Sequence, residues 1–165
     1  MRRRTFLLAG MACFLASPAL AQDVGIQATG SQLSQAEAAT LLSMHNEARA
    51  KVGVKPLEWS SKIAERAQEW AETLVATRSF HHGESGYGEN LAGAANVEQA
   101  VNMWLSEASD YNGRAIGRGA KGLHYTQAVW RKTRFVGCGK AEGPDYFVWV
   151  CNYDPAGNMS GEKPY

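Results

Sequence analysis

Phe135-Val136-Gly137-Cys138-Gly139-Lys140 and Tyr146-Phe147-Val148-Trp149-Val150-Cys151-Asn152-Tyr153, joined through Glu142-Gly143-Pro144-Asp145, form the stretch on which the fold turns. Two runs rich in β-branched and aromatic residues around a turn cluster read as a hairpin. Cys138 and Cys151 then fall on facing strands, where their Cα atoms can approach within the roughly 7 Å that a disulfide requires. The alternative for these cysteines is a pair of buried thiols. Asp154-Pro155-Ala156-Gly157-Asn158 follows as a turn cluster that closes the domain.

Working back from the hairpin, the chain changes to helical periodicity. Ser34-Gln35-Ala36-Glu37 is a capping box. It opens a helix to about Val52, with Ala38, Leu41, Leu42, His45, Ala48 and Arg49 near one side, and Gly53 stops it. Pro56-Leu57-Glu58-Trp59 reads as an extended link. Ser60 caps a second helix to about Ala76, with Ile63, Ala67, Trp70, Ala71 and Leu74 at helical spacing. Arg78 to Gly93 reads as loop or short strand. Asn96 opens a third helix whose apolar face is Val97, Ala100, Val101, Trp104, Leu105 and Ala108. Asn112 to Gly122 reads as a mobile surface loop, and a short helix follows through Tyr125 to Arg131. The five tryptophans, Trp59, Trp70, Trp104, Trp130 and Trp149, read as core.

Ahead of the domain, Arg2-Arg3-Arg4, an apolar run from Phe6 to Leu15 and Ala19-Leu20-Ala21 have the form of a signal peptide cleaved after Ala21. An N-terminal anchor is the alternative, but the apolar run is short for a span of about 20 residues. Arg3-Arg4-Thr5-Phe6-Leu7 resembles a twin-arginine export signal, so both general and twin-arginine export stay open. The division is thus a signal peptide (1–21), a flexible leader (22–33) and one domain (34–165). Cleavage removes three arginines and no acid from a chain with 17 Lys+Arg and 16 Asp+Glu, leaving a net charge of about −2. No basic stripe survives, which argues against a nucleic-acid partner. Cys138 and Cys151 are the cysteines of the mature chain, and in an exported protein such a pair usually bridges.

Four signatures stand in order: His45-Asn46-x-x-Arg49, Tyr87-Gly88-Glu89-Asn90-Leu91-Ala92, His124-Tyr125-Thr126-Gln127-Ala128-Val129-Trp130 and Cys151-Asn152-Tyr153-Asp154-Pro155-Ala156-Gly157-Asn158. Together they resemble the CAP superfamily of cysteine-rich secretory proteins, antigen 5 and plant pathogenesis-related class 1 proteins, over about Ser34 to Tyr165. The resemblance implies an α+β fold, a three-layer α–β–α sandwich with a small antiparallel sheet between helices. It departs in cysteine content: plant class 1 domains carry three disulfides, and this mature chain can make one. The extra C-terminal cysteine-rich module of the cysteine-rich secretory proteins is also missing from this sequence, so channel effects tied to it do not carry over.

The resemblance also implies a cleft with two histidines and two glutamates. His82 matches the first histidine, with His81 as competitor, and alternation in an extended segment lets only one of them face the cleft. Glu89 matches the first acid, Glu107 in Trp104-x-x-Glu107-x-x-x-Tyr111 the second, and His124 the second histidine. Imidazole and carboxylate suit Zn2+ or another divalent cation, and histidine affinity falls as pH drops through about 6.5. The bland reading is a hydrogen-bonded polar cluster that braces glycine-rich loops. Tyr125 and Gln127 are expected on the cleft rim, and His45, Asn46 and Arg49 as hydrogen-bond partners of neighbouring loops.

The functional expectation is a secreted or periplasmic, monomeric, non-enzymatic binding module. Its partner is an extracellular or envelope ligand, with lipid or sterol among the family's ligands, and it has no membrane span after signal cleavage. Sterol binding in the family uses a flexible loop, and the polar, basic Asn112–Gly122 leaves that correspondence open. The alternative is a metal-dependent hydrolase or protease using His82, Glu89, Glu107 and His124. No His-Glu-x-x-His or Gly-x-Ser-x-Gly signature supports it.

Overall fold

The computed structural model describes residues 25–165; the expected signal peptide and the first residues of the leader lie outside the described residues. The element order is α1 (Gln35–Lys51), β1 (Glu58–Trp59), α2 (Ser61–Ala76), β2 (Gly88–Ala94), α3 (Val97–Ser106), a 3-10 turn (Glu107–Ser109), α4 (Leu123–Ala128), β3 (Phe135–Glu142) and β4 (Phe147–Asp154). The capping signals act as read. Ser34 and Glu37 close a reciprocal box at α1, Ser60 accepts from the Ile63 amide at α2, and Asn96 accepts from the Gln99 amide at α3.

The sheet order is β1-β3-β4-β2. The hairpin pairs β3 with β4 antiparallel, placing Cys138 directly opposite Cys151, and the two are disulfide-bonded with Cα atoms 4.1 Å apart. β2 adds antiparallel to β4. The extended link Glu58–Trp59 joins the other edge in parallel, so the sheet is mixed rather than wholly antiparallel.

Alternation along the strands sorts the core into two layers. One face carries Ala92, Ala94, Val136, Cys138, Trp149, Cys151 and Tyr153 against α1 and α3. The other carries Leu91, Ala141, Val148 and Val150 against Ala67, Ala71 and Leu74 of α2. That is the α–β–α sandwich. β4 is therefore covered on both faces, which is why Val148 to Tyr153 is buried throughout.

Of the five tryptophans, Trp104, Trp130 and Trp149 are fully buried. Trp59 and Trp70 are only half-buried, because each lies at the border of a layer. The Trp104 indole donates to the Leu91 carbonyl at 2.8 Å and that of Trp149 to Ala94 at 3.0 Å, satisfying two carbonyls of the edge strand β2. The 25–33 segment has no helix or strand, yet Ile26 and Leu33 are buried in the larger core cluster.

α2 approaches β3 unusually closely because β3 offers glycine there. A Cβ at Gly137 would stand 2.3 Å from the Ala64 amide nitrogen, and one at Gly139 would stand 2.5 Å from the Gln68 Cα. Gln68 uses the space to bond the strand directly: its Nε2 donates to the Lys140 carbonyl at 2.8 Å and its Oε1 accepts from the Lys140 amide at 3.1 Å. Gly139→Val should therefore push α2 off the sheet and destabilise the domain by about 3 kcal/mol in denaturant unfolding. An unchanged unfolding midpoint would show that α2 can shift without cost.

Candidate functional site

The site is assembled from a strand start, a helix end and a helix start. Glu89 is the second residue of β2. Its Oε1 accepts from His82 Nδ1 at 2.7 Å and from the Gly83 amide at 3.0 Å. His82 thereby turns toward Glu89, while the neighbouring His81 ring packs edge-on against Trp70, with centroids 5.2 Å apart. Of the two, His82 is the ring bonded to Glu89.

Glu107 sits where α3 tightens into its terminal 3-10 turn. Its Oε1 accepts from His124 Nδ1 at 2.7 Å and its Oε2 from the His124 amide at 2.9 Å. The N-cap of α4 is Gly122, in the left-handed region, with no side chain to cap the helix. Glu107 takes that role from another helix, adding negative charge at the start of α4. A side chain at Gly122 is ruled out twice, by its φ of +71° and by a Cβ position 2.8 Å from the Glu107 carbonyl.

The four residues thus form two carboxylate–imidazole pairs. In each, the carboxylate engages Nδ1 and leaves Nε2 without a hydrogen bond to the described residues. Among the described residues, no three His, Cys, Asp or Glu side chains are grouped to hold a metal ion. The pairs are connected through Asn90, whose Nδ2 donates to the His124 carbonyl at 3.0 Å and to the Tyr153 hydroxyl at 3.1 Å.

That hydroxyl continues the chain to α1. His45 Nδ1 lies 2.7 Å from the Leu41 carbonyl, which can only accept, so Nδ1 carries the proton and Nε2 accepts from Tyr153 Oη at 2.8 Å. Burial pushes the His45 pKa down to about 4 and raises that of Tyr153, keeping both neutral. Arg49 completes the scaffold. Its Nε donates to Lys55 O at 2.7 Å, its Nη1 to Ala128 O and Trp130 O at 3.0 Å each, and its Nη2 to Thr133 O at 2.9 Å. Asn46 exchanges two hydrogen bonds with the backbone of Leu57. Asn46 and Arg49 thus bond neighbouring loops, as expected, whereas His45 bonds its own helix and β4.

The two residues expected at the cleft rim are buried instead. Gln127 is 2 % exposed; its Oε1 accepts from the Gly157 amide at 2.9 Å, and its amide fills the space that a Cβ at Gly88 would take. Tyr125 packs with Val129 and Ala48 and faces Tyr165, 3.4 Å away between hydroxyls. Both lie on the inner side of α4, a face the helix start at Leu123 fixes. Asn152 is the residue the sequence reading passed over. It stands opposite Glu89 in the sheet register, 1 % exposed, with neither side-chain polar atom bonded among the described residues. Its signal was available: a carboxamide on the same strand face as Val148 and Val150.

Fold and sequence together define the class. The family model of the Cysteine-rich secretory protein family, CAP, matches residues 42–153, and the chain belongs to this family. It is 44% identical over 131 residues to pathogenesis-related leaf protein 4 of Solanum lycopersicum, covering 75% of this chain and 80% of that protein. It is 43% identical over 128 residues to pathogenesis-related protein 1 of Arabidopsis thaliana, with the same coverage. Among solved structures, BmVAL-1 superposes with a TM-score of 0.70 at 25% identity, over 82% of this chain and 84% of that one. NaASP2, crystallised with Zn2+, gives 0.65 at 27% identity, over 77% and 83%. Among the described residues, no helix is long and apolar enough to cross a membrane.

The buried His45 makes a pH prediction. Its folded pKa lies below its ordinary 6.5, so below that pH the unfolded chain binds a proton that the folded chain refuses. Stability from this group is complete above pH 6.5 and falls as pH drops toward about 4, by on the order of 3 kcal/mol. Unfolding free energies of wild type and His45→Gln should therefore converge between neutral pH and about pH 4. A difference independent of pH would remove His45 from the acid response.

Proposed function

We propose that this chain is an exported, monomeric binding module of the CAP family, and that its two carboxylate–imidazole pairs are the donor set for a divalent cation. The observation that carries the reading is the shared geometry of the pairs: in both, a glutamate holds Nδ1 at 2.7 Å. Export rests on the residue pattern of the first 21 positions and agrees with the secretory character of the family. Zn2+ is the first cation to test, because imidazole and carboxylate suit it and because NaASP2 was crystallised with it.

His82 and His124 would supply nitrogen, while Glu89 and Glu107 keep the tautomers fixed. Bound there, the cation would supply a positively charged anchor for an anionic or polar ligand group. The hydrolase alternative has neither a His-Glu-x-x-His nor a Gly-x-Ser-x-Gly signature behind it. The groove beside Glu89, lined mainly by polar and charged side chains, is a poor seat for a lipid or sterol.

Calorimetric titration of Zn2+ into mature protein tests the reading. Binding should be one-to-one, weaken from about pH 7.5 to about pH 5.5 as imidazole protonates, and vanish in His82→Ala/His124→Ala. Glu107→Gln should weaken it about 10- to 100-fold through the oriented imidazole. Absence of binding at about pH 7.5 would make the pairs structural pins and end the cation proposal.

A further inference from the structure

A groove of about 690 Å³ opens on the α2 side of the sheet. Its size falls within the roughly 300–1,000 Å³ typical of small-molecule sites. Its floor is the cross-strand pair Asn152–Glu89, fixed by the register of β4 and β2, and the next residue of that row, Gly137 of β3, lies covered by α2. Residues directly opposite in antiparallel strands share a face, and Gly137 places that face under α2. Asn152 and Glu89 both line the groove.

Three polar atoms of this floor have no partner among the described residues: Asn152 Nδ2, Asn152 Oδ1 and Glu89 Oε2. Both side chains are more than nine-tenths buried, at 1 % for Asn152 and 5 % for the side chain of Glu89. Buried polar groups left unpaired cost free energy, and native folds seldom retain them without use. Here the set is one donor and two acceptors held rigidly by a sheet whose other face is packed core.

The walls decide what would complete it. Lys62 and Arg66 are met by Glu69 and Glu84, with Arg66 and Glu69 already paired at 2.8 Å. With Glu89, three carboxylates face these two cations, so the groove disfavours an anionic ligand. Tyr87 and the half-buried Trp70 contribute ring surface, and Thr73 and Ser85 contribute hydroxyls. Adjacent ligand hydroxyls, each both donor and acceptor, match a carboxamide beside a carboxylate oxygen. Aromatic surface next to polar anchors suits a ring with apolar C–H faces.

We infer that this groove binds a neutral saccharide, with ring hydroxyls donating to Glu89 Oε2 and bonding both ends of the Asn152 amide. The site shares Glu89 with the proposed cation site but stands on Asn152 and the α2 wall, so either can fail without the other.

The test titrates full mature protein, with a chelator present, with cellotriose and separately with triacetylchitotriose. Tryptophan fluorescence and the side-chain amide signal of Asn152 in 15N-labelled protein are followed. Saturable binding of at least one trisaccharide is expected, with the Asn152 amide signal shifting. Response to one and not the other tells whether an acetamido group is part of the recognised chemistry.

Asn152→Leu keeps the volume, removes the unpartnered atoms and should melt no lower than wild type, while weakening binding at least about tenfold. Thr73→Arg, an exposed change on the groove wall, should weaken binding similarly and leave Zn2+ titration unchanged; it decides the matter if Asn152→Leu does not fold. No saturable binding of either sugar at millimolar concentration overturns the inference, as does binding indifferent to Thr73→Arg. A lower melting temperature in Asn152→Leu with no sugar response in wild type would assign the floor to a structural water.

Discussion

The buried guanidinium of Arg49 is the constraint on which the rest of the structure depends. It leaves α1 and donates to four backbone carbonyls, those of Lys55, Ala128, Trp130 and Thr133. Burial lowers its pKa to about 10, so it stays charged at neutral pH. Charge-assisted bonds to carbonyls compensate that charge. Ala128 ends α4, and Val129 to Thr133 has no helix or strand of its own, so these backbone acceptors need a partner from elsewhere. A planar fork of five donors meets that need, and a lysine ammonium could not reproduce it. By fixing the end of α4, Arg49 also fixes where α4 begins, and with it His124.

A second buried network runs parallel to the first. Leu41, His45, Tyr153, Asn90 and the His124 carbonyl form one hydrogen-bonded line from α1 through the sheet to α4. Each member is neutral, and among the described residues Asn90 Oδ1 is the side-chain atom of the line left without a partner. It joins the layer that carries His124 to the strand that carries Glu89. The line thus holds the backbone of His124, whereas His82, on the exposed segment before β2, is held through Glu89.

The division of the sheet into two unequal faces explains how one edge strand serves two surroundings. Glu89 shares its face with Leu91 under α2, whereas Asn90 turns to the face of α1 and α4. Glycines at 137 and 139 let α2 close down on β3, and the space that remains beside Glu89 and Asn152 is a polar groove. Glu89 and the groove floor follow from the same alternation, whereas the Glu107–His124 pair is set by the end of α3 and the start of α4. A polar side chain on either face of such a strand must find a partner or face a cavity.

Much of this fold was legible in the sequence because its signals are local. Capping residues Ser34, Ser60 and Asn96 mark helix starts through bonds made within three residues. The hairpin turn and the facing cysteines follow from strand alternation around Gly143 and Pro144. The ordered motifs named the family, and His82, Glu89, Glu107 and His124 were placed as donors by resemblance. Distance in sequence hid the remainder. The parallel pairing of Glu58–Trp59 with β3, the burial of Gln127 behind Gly88, and the sorting of four donors into two pairs each depend on segments far apart in the chain. The sequence by itself determined which elements form and which chemistry they carry, because periodicity and capping act over a few residues. Only the tertiary structure decided which side chains face one another, because that depends on which strand face each layer covers and how closely the glycines let the layers approach.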